Sequence, residues 1–251
     1  MLMRGPLPGH IGVIMDGNGR WAQSRGQSRA EGHRRGASSL RRIIEECVML
    51  GIPCLSTFAF STENWLRPQE EVDALMLLMA EFAISEAEEM AKRDVRVVPI
   101  GDLGRLPERT RREIKNLRDR TREGRVMTLM IAVNYGGRDD ILQAVQEISR
   151  EVARGNLDPE EIDHERFRAH LHTQSQPDPD LIIRTGGEWR LSNFLLYQAA
   201  YAEFYSTEAL WPEFDVHELH RALREFQRRE RRYGGLHDRG TDALDGGGGQ
   251  A

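Results

Sequence analysis

Lysine is nearly missing from this sequence. Lys92 and Lys115 are the only two, so arginine carries almost all of the positive charge. Cysteine is as scarce: Cys47 and Cys54 form neither a metal knuckle nor a redox motif, and free thiols in a reducing compartment are expected. There is no basic excess. The formal net charge of −5 and pI near 6.0 lack the electrostatic footprint of a nucleic-acid-binding domain, so no nucleic-acid partner is expected. Long apolar runs are absent too. The most apolar segment, Ala74–Ala80, is far short of the ~20 residues that a bilayer span takes, and MLMRGPLPGH has no apolar signal-peptide core. A soluble, cytoplasmic chain is expected.

What is there suits a globular core: 251 residues, 39% hydrophobic and 30% charged. Apolar runs bounded by glycine or proline predict strands at Ile11–Met15, Cys54–Phe60, Val95–Ile100, Met127–Asn134 and Leu181–Arg184, with a short one near Phe204. Helical periodicity predicts helices at Gly36–Leu50, Glu70–Arg93, Pro107–Glu123, Arg138–Arg154, Pro159–Leu171 and Val216–Arg231. Strands alternating with helices indicate an α/β fold, a single domain with a central, mainly parallel sheet flanked by helices. No linker or repeat divides the chain. The expected organisation is a flexible N-terminus over 1–9, a folded domain over 10–235 and a disordered, glycine-rich tail over 236–251.

Ligands of an open parallel sheet bind beyond the carboxyl ends of its strands, which directs attention to three strand ends. In HIGVIMDGNGRWA the apolar run stops on Asp16 and enters Gly17-Asn18-Gly19-Arg20. Glycines let backbone N–H groups approach a phosphate, a helix N-terminus adds partial positive charge, and Arg20 offers a fork for phosphate oxygens. Asp16 would repel a bare phosphate unless a divalent cation such as Mg2+ lies between them. Taken alone, DGNG is equally well a tight turn with Asp16 as helix N-cap. The second end, FAFSTENWLRP, sets Ser61, Thr62, Glu63 and Asn64 before Trp65 and Arg67. A capped helix start before Pro68 explains the hydroxyls, but not the arginine beside an exposed-looking tryptophan. The third, LIIRTGGEWRLSNF, ends on Arg184, turns at Gly186-Gly187 and reaches Arg190 and Ser192. Three such strand ends predict one shared diphosphate or polyphosphate site.

Other features are weaker. Leu75, Met76, Leu78, Met79 and Phe82 belong to a core helix or line an adaptable apolar cavity. His217 with His220, and His170 with His172, lack an obvious third ligand and read as surface histidines. The charged run 227–232 reads as a solvated helix end.

The three strand ends, with AEGHRRGA, IAVNYGGRDDI and WPEFD, resemble the cis-prenyltransferases, specifically the bacterial undecaprenyl diphosphate synthase-like isoprenyl transferases, in order from about His10 to Gly235. The resemblance implies a homodimeric fold with a hydrophobic tunnel. It implies condensation of isopentenyl diphosphate with an allylic diphosphate, expected to be farnesyl diphosphate, to form a new cis double bond. The product it implies is a long-chain, undecaprenyl-type diphosphate for a cell-wall lipid carrier, with a short-chain product as the alternative. By the same resemblance Asp16 is catalytic and, with Glu203 of AYAEFY, holds Mg2+. Gly17, Asn18, Gly19 and Arg20 cradle the allylic diphosphate beside Trp21, Arg29 and His33. Ser61, Thr62, Glu63, Asn64, Trp65 and Arg67 match a mobile substrate loop, and Arg184, Arg190, Leu191 and Ser192 match the isopentenyl diphosphate pocket. The family places proton acceptance near Asn64; a neutral amide is a poor base, so Asn64 is expected to position a diphosphate oxygen or water instead.

Trp189 stands where some relatives carry a metal-contacting histidine, and Arg232-Tyr233-Gly234 resembles an element that reaches the partner subunit's site. Tunnel depth is expected to depend on side chains around Ala37, Met76, Met79 and Met127. An apolar product implies transient contact with the inner face of the membrane. Two rivals are disfavoured: a non-catalytic scaffold subunit would lose the Asp-Gly-Asn-Gly-Arg pattern, and a phosphotransferase would show a nucleotide-binding fingerprint.

Overall fold

A computed structural model describes residues 5–174 and 176–229. The expected Arg232-Tyr233-Gly234 element, residues 230–231 of the expected last helix, residues 1–4 and the 236–251 tail lie outside the described residues. Among the described residues six strands form one sheet: β1 (His10–Ile14), β2 (Cys54–Ser61), β3 (Val95–Ile100), β4 (Met127–Tyr135), β5 (Leu181–Thr185) and β6 (Glu203–Thr207). Their order is β3-β4-β2-β1-β5-β6, and every pairing is parallel. From β1 the chain adds β2, β3 and β4 on one side, with β4 inserted between β2 and β3, and then crosses to β5 and β6 on the other. The switch therefore falls at β1, where ligand crevices form in such sheets.

Among the described residues there are seven α-helices, six between the strands and one after β6: α1 (Asn18–Gln23), α2 (Arg29–Met49), α3 (Gln69–Lys92), α4 (Glu108–Thr121), α5 (Gly137–Ala153), α6 (His164–Ala169) and α7 (Val216–Arg228). Alternate strand residues face opposite layers. Ile11, Val13, Leu129 and Val133 meet Ile43 and Ile44 of α2, Leu75 and Ala83 of α3, Leu117 of α4 and Leu223 of α7. On the other face Ile14, Met130, Ala132 and Ile182 are covered by Phe194 and Leu195.

Two expectations need correction. The predicted helix over Pro159–Leu171 is two pieces, a 3-10 turn at Pro159–Glu161 and then α6, because Asp163 adopts an extended backbone and caps the second piece by accepting the Arg166 N–H. Helix α2 begins at Arg29 rather than Gly36: Ser28 accepts the Glu31 N–H at 3.3 Å, an N-cap that starts the helix seven residues earlier. The paired histidines also do more than face solvent. His172 Nδ1 donates to buried Asp140 at 2.7 Å, and His220 Nε2 to Glu46 at 2.6 Å.

At the amino edge of the sheet His10 is fully buried, donating from Nδ1 to the Pro177 carbonyl and accepting at Nε2 from Ser56 Oγ, each at 2.7 Å. Burial lowers its pKa from 6.5 to about 4, against the opposing effects of the Pro177 hydrogen bond and the Asp180 charge. The folded state therefore takes up this proton less readily than the unfolded chain. The contribution is complete above pH 6.5 and is lost as pH falls from 6.5 through 4, by about 3 kcal/mol. Urea unfolding of wild type and His10→Gln across that window should show the steeper acid loss in wild type; parallel curves would contradict the assignment.

Candidate active site

The strand order sets β2, β1 and β5 side by side, so the three arginine-bearing loops leave neighbouring strands at one edge. Asp16 follows β1. Its backbone carbonyl accepts Thr185 Oγ1 at 2.6 Å and the Trp211 N–H at 2.9 Å, which fixes the turn. Its carboxylate receives Arg184 Nη2 at 2.8 Å and lies 3.3 Å from Arg20 Nη2. Only 5% of the Arg184 side chain is exposed, and its Nη1 donates to the Arg190 carbonyl at 2.6 Å and Ser192 Oγ at 2.7 Å. A buried guanidinium is tolerated because it is paired and hydrogen-bonded. Arg20 rests on Gly186, whose φ of +85° and lack of a Cβ admit the guanidinium; a side chain there would collide with it. The first and third loops thus form one unit.

The second loop is a 3-10 turn over Thr62–Leu66. Asn64 Oδ1 accepts the Ser61 N–H at 3.1 Å, one half of a reciprocal cap with the Ser61 side chain. Glu63 accepts Asn193 Nδ2 at 2.9 Å, while Asn193 Oδ1 accepts the Arg138 N–H at 2.9 Å, so Asn193 ties the second loop to the third and to the start of α5. Partial burial acts to raise the Glu63 pKa, but hydrogen bonds from its own backbone, Asn193, Ser61 and Thr62 outweigh it and hold the carboxyl below its ordinary value. Trp65 is half-buried, not exposed as its sequence suggested. Its indole N–H donates to Asn134 Oδ1 at 2.7 Å, its ring meets Phe60 edge-on at 5.1 Å, and Arg105 lies over it at 5.5 Å.

Helix α2 adds Arg29 and His33. Burial lowers the His33 pKa below 6.5; the Arg67 and Arg29 charges act in the same direction and Glu71 opposes them. These groups surround the mouth of a cavity of ≈ 710 Å³ whose shaft runs between the sheet, α2, α3 and α4. Its wall from α3 is Leu75, Leu78, Met79, Phe82 and Ala83, a stripe of one helix face. Ala37 joins them, whereas Met76 and Met127 do not line the shaft but pack in the core, which corrects the expected set of depth residues. Buried polar atoms without a hydrogen-bond partner are rare in folded proteins. Among the described residues Asn18 Oδ1, His33 Nε2 and Arg184 Nε are such atoms, and all three residues line this cavity; Arg96 Nε is another, and its residue lies elsewhere.

Of the expected site residues, Asp16, Asn18, His33, Ser61, Glu63, Asn64, Arg67, Arg184 and Ser192 line the cavity. Others do not. Trp21 sits under Arg25 at 4.6 Å, and Thr62 faces a separate polar pocket with Asn134. The Arg190 side chain pairs with Glu188 at 2.6 Å and lends only its carbonyl to Arg184, while Leu191 packs on the second core cluster. Glu203 departs most from expectation. It opens β6 level with Leu181, three residues before Arg184, or about 10 Å back along the strand. There it pairs with Arg229 at 2.6 Å. Within one chain Glu203 and Asp16 do not meet. Trp189 is 72% exposed, with its ring 5.8 Å from Phe204. Sequence reasoning passed over Asn193 and Glu71, although Asn193 lies inside a quoted motif and Glu71 stands one helical turn after Arg67.

Helix α1 approaches α2 across Gly32, where a Cβ would collide with the Asn18 carbonyl and stand 3.1 Å from the Ala22 Cβ. Because the obstacle is backbone, Gly32→Ala must move the loop that carries Asp16. Thermal unfolding should show a loss of about 1–3 kcal/mol, and calorimetry should show weakened binding of inorganic pyrophosphate. Unchanged stability and binding would contradict this packing.

The family model described as "Putative undecaprenyl diphosphate synthase" matches residues 14–234. An isoprenyl transferase of Clostridium perfringens is 44% identical over 236 residues, covering 94% of this chain and 93% of that one. An isoprenyl transferase of Streptococcus thermophilus is 47% identical over 234 residues, covering 92% and 94%. Among solved structures, lavandulyl diphosphate synthase from Lavandula x intermedia, in complex with dimethylallyl diphosphate, aligns with a TM-score of 0.89 at 38% identity, covering 91% of this chain and 98% of that one. A probable undecaprenyl diphosphate synthase from Campylobacter jejuni aligns with a TM-score of 0.75 at 34% identity, covering 91% and 99%. With its all-parallel sheet and arginine-rich cavity mouth, this chain belongs to the undecaprenyl diphosphate synthase-like isoprenyl transferases.

Proposed function

We propose that this enzyme condenses isopentenyl diphosphate with an allylic diphosphate, farnesyl diphosphate as primer, and repeats the addition to make a long-chain, undecaprenyl-type polyprenyl diphosphate. The observation that carries the reading is a polar, arginine-rich mouth opening directly on an apolar shaft. Such a mouth suits diphosphates, and a cavity of ≈ 710 Å³ has room for a prenyl chain beyond one five-carbon unit. In this reading the backbone of Gly17–Arg20, with Arg29 and His33, holds the allylic diphosphate. Arg184 and Ser192 hold the isopentenyl diphosphate, joined by the Arg190 side chain once it leaves Glu188, and the 61–67 turn orders the two.

Mg2+ fits through one carboxylate. Asp16 faces the mouth with 31% of its side chain exposed, and Mg2+ is commonly held by one or two carboxylates plus substrate phosphates. Among the described residues no three His, Cys, Asp or Glu side chains group as a metal site, so phosphate oxygens and water complete the set. Bound there, Mg2+ would neutralise charge on the departing diphosphate. The allylic C1–O bond breaks and the diphosphate leaves with the electron pair. The isopentenyl double bond attacks C1, and the proton on its C2 passes to a diphosphate oxygen or water. Asn64 positions that acceptor without serving as base, because a neutral amide is a poor base; its Oδ1 accepts the Ser61 N–H, which fixes the side chain. Alignment and charge stabilisation supply the rate.

We also propose a homodimer. Edge strand β6 has no strand on its outer side among the described residues, and Trp189 and Tyr201 beside it are 72% and 77% exposed. No helix of the described residues is long and apolar enough to cross a membrane. In the same reading the apolar product is released at the inner membrane face for a cell-wall lipid carrier. A short-chain product is the second reading, favoured by the likeness to lavandulyl diphosphate synthase.

Turnover with labelled isopentenyl diphosphate, farnesyl diphosphate and Mg2+ should yield a ladder ending in long polyprenyl diphosphates, abolished by a chelator. A single addition would establish the short-chain reading; no product from either farnesyl or geranyl diphosphate would overturn prenyl transfer. Asn64→Ala should lower kcat, and full turnover would remove Asn64 from the mechanism.

A further inference from the structure

Glu71 belongs to none of the three strand-end loops, yet two guanidiniums and an imidazole converge on it. Arg67 Nη1 lies 2.9 Å from Oε1, Arg29 Nε 3.3 Å from Oε2, and His33 Nε2 3.6 Å from Oε1, with 9% of the Glu71 side chain exposed. The three reach it from different places: Arg67 ends the second loop, Arg29 and His33 lie on the first turns of α2, and Glu71 is in the first turn of α3. Arg29 also lies against the first loop, where a Cβ on Gly19 would stand 2.8 Å from Arg29 Nη2.

The two guanidiniums repel each other, and disfavour a proton on the imidazole between them, unless an anion lies among them. Glu71 is that anion. One negative charge against two permanent positive charges leaves the cluster net positive. His33 and Arg67 line the main cavity, and among the described residues His33 Nε2 has no hydrogen-bond partner, because 3.6 Å to Glu71 is too long for one. On the opposite side Arg29, Arg34, His33 and Glu71 line a second pocket of ≈ 410 Å³. The cluster is therefore a wall between two spaces rather than a buried structural ion pair.

Resting on the prenyl-transfer reading above, we propose that Glu71 is a positioning residue that gathers Arg29, His33 and Arg67 into one cationic wall for the allylic diphosphate. It acts through those side chains and stands behind them. Removing its charge lets the two arginines separate while leaving the isopentenyl diphosphate pocket around Arg184 intact.

The test uses the full chain with Mg2+ and both diphosphates, comparing wild type, Glu71→Gln and Glu71→Asp, with calorimetric binding of inorganic pyrophosphate alongside. Glu71→Gln should raise KM for farnesyl diphosphate by about tenfold or more, leave KM for isopentenyl diphosphate nearly unchanged, and weaken pyrophosphate binding. Glu71→Asp should recover much of each loss. Normal wild-type turnover with an unchanged farnesyl diphosphate KM in Glu71→Gln overturns the assignment alone. Tighter binding in Glu71→Gln overturns it by showing that Glu71 competes with phosphate. An equal rise in both KM values, with a lowered melting temperature, overturns it in favour of a structural role. If wild type turns over neither diphosphate, the prenyl-transfer reading fails and the assignment falls with it.

Discussion

The ion pair between Asp16 and Arg184 holds the first and third loops together, and much of the site depends on it. Arg184 is almost fully buried, so its charge needs a carboxylate. Asp16 meets that need from the neighbouring strand at 2.8 Å. The remaining Arg184 donors hold the Arg190 carbonyl and Ser192 Oγ, fixing the third loop, while Arg20 bridges from Asp16 to the bare face of Gly186. One buried cation thus places two loops, and its Nε remains without a partner at the cavity.

The apolar half follows from helix geometry. A stripe at 75, 78, 79, 82 and 83 turns toward the sheet but does not fill the space, and the shaft is what it leaves. Because the charged mouth lies at the carboxyl ends of the strands and the shaft beneath α2 and α3, a diphosphate head held at the mouth directs its tail into the shaft. Charge and apolarity are separated along one axis, as an amphiphilic substrate requires.

Much of this was legible in the sequence because strands buried on both faces read as apolar runs, and five of the six are strong ones. The run that stops on Asp16 marks the site at once. Strand order was not legible. Nothing in LIIRTGGEWRLSNF says that its strand pairs with β1, and only that pairing makes three separate motifs one mouth. The early start of α2 was legible and overlooked, since Ser28 and Glu31 carry the cap. Trp65 misled because a tryptophan among polar residues looks exposed, whereas Asn134, 69 residues away, pins it. The position of Glu203 was hidden for the reason that strand order was: only register puts it level with Leu181, about 10 Å back along the strand from Arg184. Glu71 could not stand out, because an acid one turn after an arginine is common on helix surfaces and its other partners come from α2.

The account depends most on mutual support between Asp16 and Arg184. A double-mutant cycle over Asp16→Asn and Arg184→Gln, read by equilibrium urea unfolding, measures that support without relying on turnover. The account predicts a coupling of about 1 kcal/mol or more, with the double variant more stable than the sum of the single losses implies. Additivity to within about 0.3–0.5 kcal/mol would contradict it, since the two residues would then stand independently.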